Sequence, residues 1–219
     1  MVQKSTLAFL KAIKTNNNKE WFDKNKDKYL AAKENVEDLV GEVIKSVSTF
    51  DKGLAGLKPK DCVFRIYRDV RFAKDKRPYK TNLGASISVG GKKAEVAGYY
   101  LHIEPGESMI AGGRWMPSPE HLRKIRQEID YNGKKFKKII NDKAFKKLFG
   151  ELDTEYKLSR PPKGYDKDHP DIELLKLNSY IVWHSFKDTE VLSANFVKEI
   201  AKVAKAMKPM LDFLNEAIS

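Results

Sequence analysis

With one cysteine, Cys62, the chain can close no internal disulfide and can build no cysteine-based metal cluster on its own. A reducing cytoplasm is the expected setting. His121, His169 and His184 lack metal-ligand spacing, so no zinc site is expected, and no cofactor is expected either. Nowhere do eighteen apolar residues run together, which predicts no membrane span. The opening "MVQKSTLAFLKAIKTNNN" interrupts its apolar stretch with Lys11 and Lys14 and offers no small-residue cleavage site, so it does not read as a signal peptide. A phosphate-binding P-loop, a dinucleotide glycine fingerprint and a hydrolase nucleophile elbow are all missing. No Pro/Gly/Ser-rich linker and no internal repeat divides the 219 residues, so a single domain with one sizeable core is expected.

What is abundant is positive charge. Lys and Arg number 42 against 30 Asp and Glu, a net charge of +12, and the excess lies in residues 1–160. Such a balance favours anionic partners: nucleic acid, a nucleotide or other phosphorylated small molecule, or an anionic surface.

The pattern of apolar residues predicts an α+β domain over 1–219, with an antiparallel sheet covered by N-terminal and C-terminal helices. Residues 1–50 read as helical. Ser5 or Thr6 would cap a first helix, and a long second helix would start behind Asn17, with Phe22, Tyr29, Val36, Val40, Val43 and Val47 on one stripe. Strands are expected over about 62–114, in "CVFRIYRDV", "GASISV", "VAGYYLHIE" and "ESMIAGG", with "EPGES" turning a hairpin between the last two. Residues 118–149 return to helix, capped by Ser118 with Pro119 at the first position. Within it, lysines in 134–147 alternate with Phe136, Ile139, Ile140 and Phe145 as an amphipathic surface. A long loop covers 150–170, a strand about 179–186, and helix 188–218, which Pro209 kinks or restarts. Phe64, Ile66, Leu101, Ile103, Ile181 and Trp183 are the expected packed residues of the sheet.

Chemistry concentrates in "FRIYRDVRFAKDKRPYKTN", residues 64–82. If its first half is a strand throughout, period two puts Phe64, Ile66, Arg68, Val70 and Phe72 on one face and Arg65, Tyr67, Asp69 and Arg71 on the other. Arg68 then lies on the apolar side and must find a carboxylate, because stranding a buried charge costs at least ~3 kcal/mol. Alternatively the strand ends near Tyr67 and the arginines converge round a loop. Lys74, Lys76, Arg77 and Lys80 follow with only Asp75 among them, an excess that local pairing cannot neutralise.

The expected ligand site is therefore Arg65, Arg68, Arg71, Lys76 and Lys80, with Gly112, Gly113 and Arg114 on its rim. The two glycines would aim backbone N–H groups at the anion, and Tyr67, Tyr79 or Trp115 would stack on a base or sugar. In "GYYLHIE", Tyr100, His102 and Glu104 share one sheet face. Asp69, His102 and Glu104 are the candidate acid or base groups of a second reading, an enzyme acting on a phosphorylated substrate. A third reading is a structural or protein-interaction module whose arginines pair internally.

"NNNKEWF", "FRIYRDVRFAKDKRPYKTN", "GYYLHIEPGESMIAGGRWMPSPEHLRKIR" and "LSRPPKGYDKDHP", in that order, resemble the signatures of the domain-of-unknown-function 2461 family of bacterial and fungal proteins. The resemblance spans nearly the whole chain. It implies a single α+β domain and carries across no reaction, cofactor or catalytic residue.

Overall fold

The computed structural model describes all 219 residues. Three helices open the chain: α1 (Lys4–Thr15), α2 (Lys19–Lys24) and α3 (Lys26–Val47). The apolar stripe expected for the second helix is buried at every position from Phe22 to Val47. It belongs to two helices, because the chain breaks at Asn25, whose side-chain amide donates back to the Trp21 carbonyl. Two caps differ from expectation. Thr6 donates its hydroxyl to Asn35 instead of capping α1, and Asn18 rather than Asn17 accepts from the Trp21 N–H to cap α2. Asn17 is thereby free to act elsewhere.

A short helix, α4 (Pro59–Cys62), leads into the sheet. Strands β1 (Leu83–Ile87), β2 (Gly98–Ile103), β3 (Met109–Arg114) and β4 (Tyr180–Ser185) lie in the order β1-β2-β3-β4, each pair antiparallel. Residues 62–70 are not a regular strand. Only Val63 bridges to Ala85, after which Ile66 turns into the core and the pairing stops. Phe72, expected on the apolar side, is 95% exposed. The chain instead leaves the sheet as a finger that closes on itself where Tyr67 bridges Tyr79, with the Arg68 N–H bonded to the Pro78 carbonyl.

Between β3 and β4 run α5 (Pro119–Ile140), α6 (Lys143–Phe149) and α7 (Ile172–Leu175). Ser118 caps α5 by accepting from the His121 N–H, with Pro119 at the first position. Helix α5 is kinked at the Asn-Gly sequence, where Asn132 leaves helical geometry. The chain ends in α8 (Asp188–Val191) and α9 (Phe196–Ile218), and Pro209 lies within an unbroken α9.

Register decides which face of the sheet is core. Leu83, Ala85, Ile87, Tyr99, Leu101, Ile103, Ile110, Tyr180 and Val182 point to one side and are buried. Helix α9 lies close against that side: a Cβ on Gly112 would sit 2.5 Å from Met207 Sδ. Helix α5 packs behind it, Phe136 meeting Phe213 at 4.7 Å between ring centroids. Ile181 and Trp183 are therefore not packed as expected. They fall on the opposite face, where Trp183 is exposed beside Ala111 and Tyr100. That face has no helix laid across it as α9 is laid across the other, and it carries the polar residues of β2.

Candidate functional site

The finger and the start of β1 border an open cleft of about 200 Å3 lined by Arg68, Asp75, Arg77, Tyr79, Lys80, Thr81 and Asn82. Its geometry begins with Asn17. Its side-chain oxygen accepts from the Tyr79 N–H at 3.0 Å, and its amide donates to the Tyr79 carbonyl at 2.9 Å, imitating a strand partner. The Tyr79 ring stacks on Phe22 at 4.1 Å, which fixes the base of the finger in the core. Tyr79 is consequently buried and cannot stack on a ligand as expected. Tyr67 leans on the same pair but stays 46% exposed.

Inside the finger two aspartates organise three arginines. Asp75 accepts from Arg68 Nη1 at 2.9 Å and from the Arg77 guanidinium at 2.8 Å, and the Arg77 contacts hold its carboxyl well below the usual range. Asp69 receives a fork from Arg71, Nε at 2.9 Å and Nη2 at 2.7 Å. Asp69 is thus the partner of Arg71, on the exposed part of the finger, and is not placed to act as an acid or base in the cleft. Arg71, expected in the ligand site, is thereby already matched by a carboxylate. Arg68 has its expected internal partner, yet it is only half-buried and also donates to the Arg77 carbonyl. Arg68→Ala should therefore cost about 1–2 kcal/mol, the loss of a charged hydrogen bond, and not the larger penalty of a fully buried pair. Thermal melts of the variant beside wild type check this.

Four cations remain without a carboxylate: Arg65, Lys74, Lys76 and Lys80. Lys76 bonds the carbonyls of Val70 and Arg71. Lys80 is half-buried at the cleft, its ammonium 5.3 Å from the Phe64 ring centroid. Burial, and then the nearby charge of Arg65, push its pKa down.

Below the cleft, β2 supplies a hydrogen-bonded row. His102 Nε2 lies 3.0 Å from Glu104 Oε2, which assigns the ring proton to Nε2. His102 Nδ1 then accepts from the Asn82 amide at 3.1 Å, with the Tyr100 hydroxyl 3.3 Å away. The Thr81 side chain also faces Glu104, and Lys14 approaches to 3.5 Å. Burial alone would raise the Glu104 pKa, but its contacts with Thr81 and His102, with the charge of Lys14 nearby, bring it below its ordinary value of 4.5. The row thus anchors Asn82, a residue of the cleft wall, beside Thr81. Both ring nitrogens of His102 are occupied, and His102 does not itself line the cleft.

A carboxylate with a lowered folded pKa contributes stability that is complete above its unfolded value and is lost as pH falls through the folded one. The urea midpoint should accordingly drop as pH falls below the ordinary carboxylate value of 4.5. Part of that drop should vanish in Glu104→Gln, and an unchanged acid limb in that variant would assign it to other carboxylates.

The expected rim is elsewhere. Gly112 and Gly113 stand in the middle of the sheet, paired to Tyr99 and Gly98 on one side and to Val182 and Ile181 on the other. Their backbone serves the ladder and the approach of α9, not an anion. Arg114 ends β3 at the opposite end of the strands from Lys80, because β1 and β2 run antiparallel and β3 reverses again. By alternation its side chain is directed toward the helix-covered face, and burial lowers its pKa. Trp115 is exposed at that far end, away from the cleft.

Two other features carry less chemistry. A cavity of about 240 Å3 between α5 and α7 contains Asp171, already matched by Lys137 at 2.6 Å, and Glu173, paired with Lys157 and Lys176. The Cys62 thiol is buried, and burial followed by the charge of Asp61 pushes its pKa to about 11. Thr81, Asn82, Arg77 and Asn17 were not among the expected site residues. The one sequence signal for them is their position in "TNNN" and directly around "PYKTN".

The chain belongs to the DUF2461 family of conserved hypothetical proteins, whose pattern it matches over residues 5–213. No curated protein and no solved structure is matched. No helix is long and apolar enough to cross a membrane.

Proposed function

We propose that this member of the DUF2461 family binds a phosphate-bearing ligand in the cleft between the finger and β1. Lys80 would be the central cation, with Arg65, Arg68 and Arg77 around it. One observation carries the reading: Lys80 is half-buried, has no carboxylate partner, and lies close enough to Arg65 for its charge to be disfavoured. An anion in the cleft supplies the missing countercharge, and a guanidinium edge not used by Asp75 can meet phosphate oxygens in a planar fork.

The reading of an internally paired module accounts for Arg68, Arg71 and Arg77, whose partners are Asp69 and Asp75. It leaves Arg65 and Lys80 unexplained. An acid–base enzyme needs a proton-transfer group within about 3 Å of the reacting atom. His102 and Glu104 are instead engaged with each other and with the cleft wall.

Pyrophosphate titrated against chloride at matched ionic strength tests the proposal by thermal melting. A ligand at about 100 times its Kd stabilises by about 2.7 kcal/mol. In a chain of this size that raises Tm by several degrees, at about 2–4 °C per kcal/mol. General salting effects of phosphate survive any single substitution, so the specific part is the rise that disappears in Lys80→Met. A rise equal in wild type and variant would refute the site.

A further inference from the structure

We infer that the ligand is a single-stranded nucleic acid, gripped by a phosphate in the cleft and by an unpaired base stacked on Phe72. The inference rests on the proposed phosphate site and extends it outward. A cleft of about 200 Å3 takes a phosphate but is smaller than the ~300–1,000 Å3 of pockets that enclose whole small molecules. The rest of any ligand must lie outside, across the finger.

The finger is built to present something. Phe72, only four residues beyond Arg68, is 95% exposed, an unfavourable place for an aromatic ring in water. The backbone that carries the ring is tied down by its neighbours. The Arg71 guanidinium lies 5.9 Å from its centroid and is itself locked by Asp69. Lys76 ties down the carbonyls of Val70 and Arg71, and Asp75 clamps Arg68 to Arg77 beneath. An exposed ring beside a guanidinium is a platform on which a base of any identity can stack.

The charges extend the match. Arg65, Lys74 and Lys80 are spread along the finger and its base without carboxylates, which suits a repeating series of phosphates better than a single one. Tyr67, 46% exposed beside the cleft, offers a second aromatic surface. A base inside a duplex is already stacked on its neighbours, so the platform selects unpaired bases.

Fluorescence anisotropy with a labelled oligothymidylate of about twelve nucleotides, beside an abasic strand of equal length and charge, tests the inference. Wild type should bind the thymidylate about tenfold more tightly than the abasic strand, with affinity falling steeply as salt rises. Phe72→Ala should reduce thymidylate binding to the abasic level, and Phe72→Trp should retain it. The exposed position makes both substitutions safe for folding, and unchanged pyrophosphate binding by Phe72→Ala confirms this. Equal affinity for the two strands, or an inert Phe72→Ala, overturns the stacking assignment while leaving the phosphate site standing if pyrophosphate still binds. Loss of pyrophosphate and oligonucleotide binding together in wild type overturns both. Sedimentation with phosphatidylserine vesicles that requires Phe72, without base-dependent oligonucleotide binding, assigns the finger to a membrane surface and overturns the nucleic-acid reading.

Discussion

Replacing Gly113 with alanine should lower stability by at least ~4 kcal/mol, the exceptional class of single substitutions, and Tm by roughly ten degrees or more. Two costs combine at this position. Its φ of +131° lies in a region that a side chain rarely tolerates. An added Cβ would also stand 2.0 Å from the Tyr180 carbonyl oxygen and 2.8 Å from Ile181 Cα, both backbone atoms of the neighbouring strand. Backbone cannot rotate aside, so β3 and β4 would have to part. Gly112→Ala provides the comparison. Its Cβ would meet Met207 Sδ at 2.5 Å, but a thioether can change rotamer, so overpacking should cost only about 1–3 kcal/mol. Urea denaturation of the two variants checks the order, and a Gly113→Ala protein melting near wild type would contradict the strand geometry.

Lys80→Met should weaken pyrophosphate binding at least tenfold, about 1.4 kcal/mol, without lowering the stability of the unliganded protein. The sign follows from protonation. A lysine whose folded pKa lies below its unfolded 10.5 binds fewer protons in the folded state between those two values, so stability rises with pH across that window. At neutral pH the charge is therefore a burden to the fold, and removing it relieves burial and the repulsion from Arg65. Methionine keeps a polarisable contact with the Phe64 ring where the ammonium was. Wild-type affinity should also decline as pH rises through the lowered Lys80 pKa, before ordinary lysines titrate. Site and stability then trade against each other, as they do where function requires an uncompensated group. A Lys80→Met protein that binds pyrophosphate like wild type, or that unfolds, removes Lys80 from the site.

Much of the cleft was visible as composition but not as arrangement. The basic excess of "FRIYRDVRFAKDKRPYKTN" is a property of the residues themselves, and Lys80 and Arg65 do remain without carboxylates. The division of labour inside it was not readable. Asp69 and Asp75 each have several arginines within a few positions, and only the turn of the finger selects Arg71 for one and Arg68 with Arg77 for the other. The pairing "GGR" before a capped helix looked like an anion loop because glycine punctuates loops and close-packed strands alike. The contact of Gly112 with Met207, 95 positions away in the chain, distinguishes the two.

By itself the sequence determined the class of the fold, the helical stripe from Phe22 to Val47, the alternation that puts Tyr100, His102 and Glu104 on one face, and the Ser118–Pro119 start of α5. These follow from periodicity and capping, which act over one or two turns of chain. Tertiary structure alone decided that α9 covers the Tyr99 face and not the Trp183 face, that Asn17 clamps Tyr79 sixty-two residues on, and that Asn82 and Thr81 join His102 and Glu104. Strand register and long-range side-chain bonds set these outcomes, and a local pattern is compatible with either face of a sheet until its partners are in place.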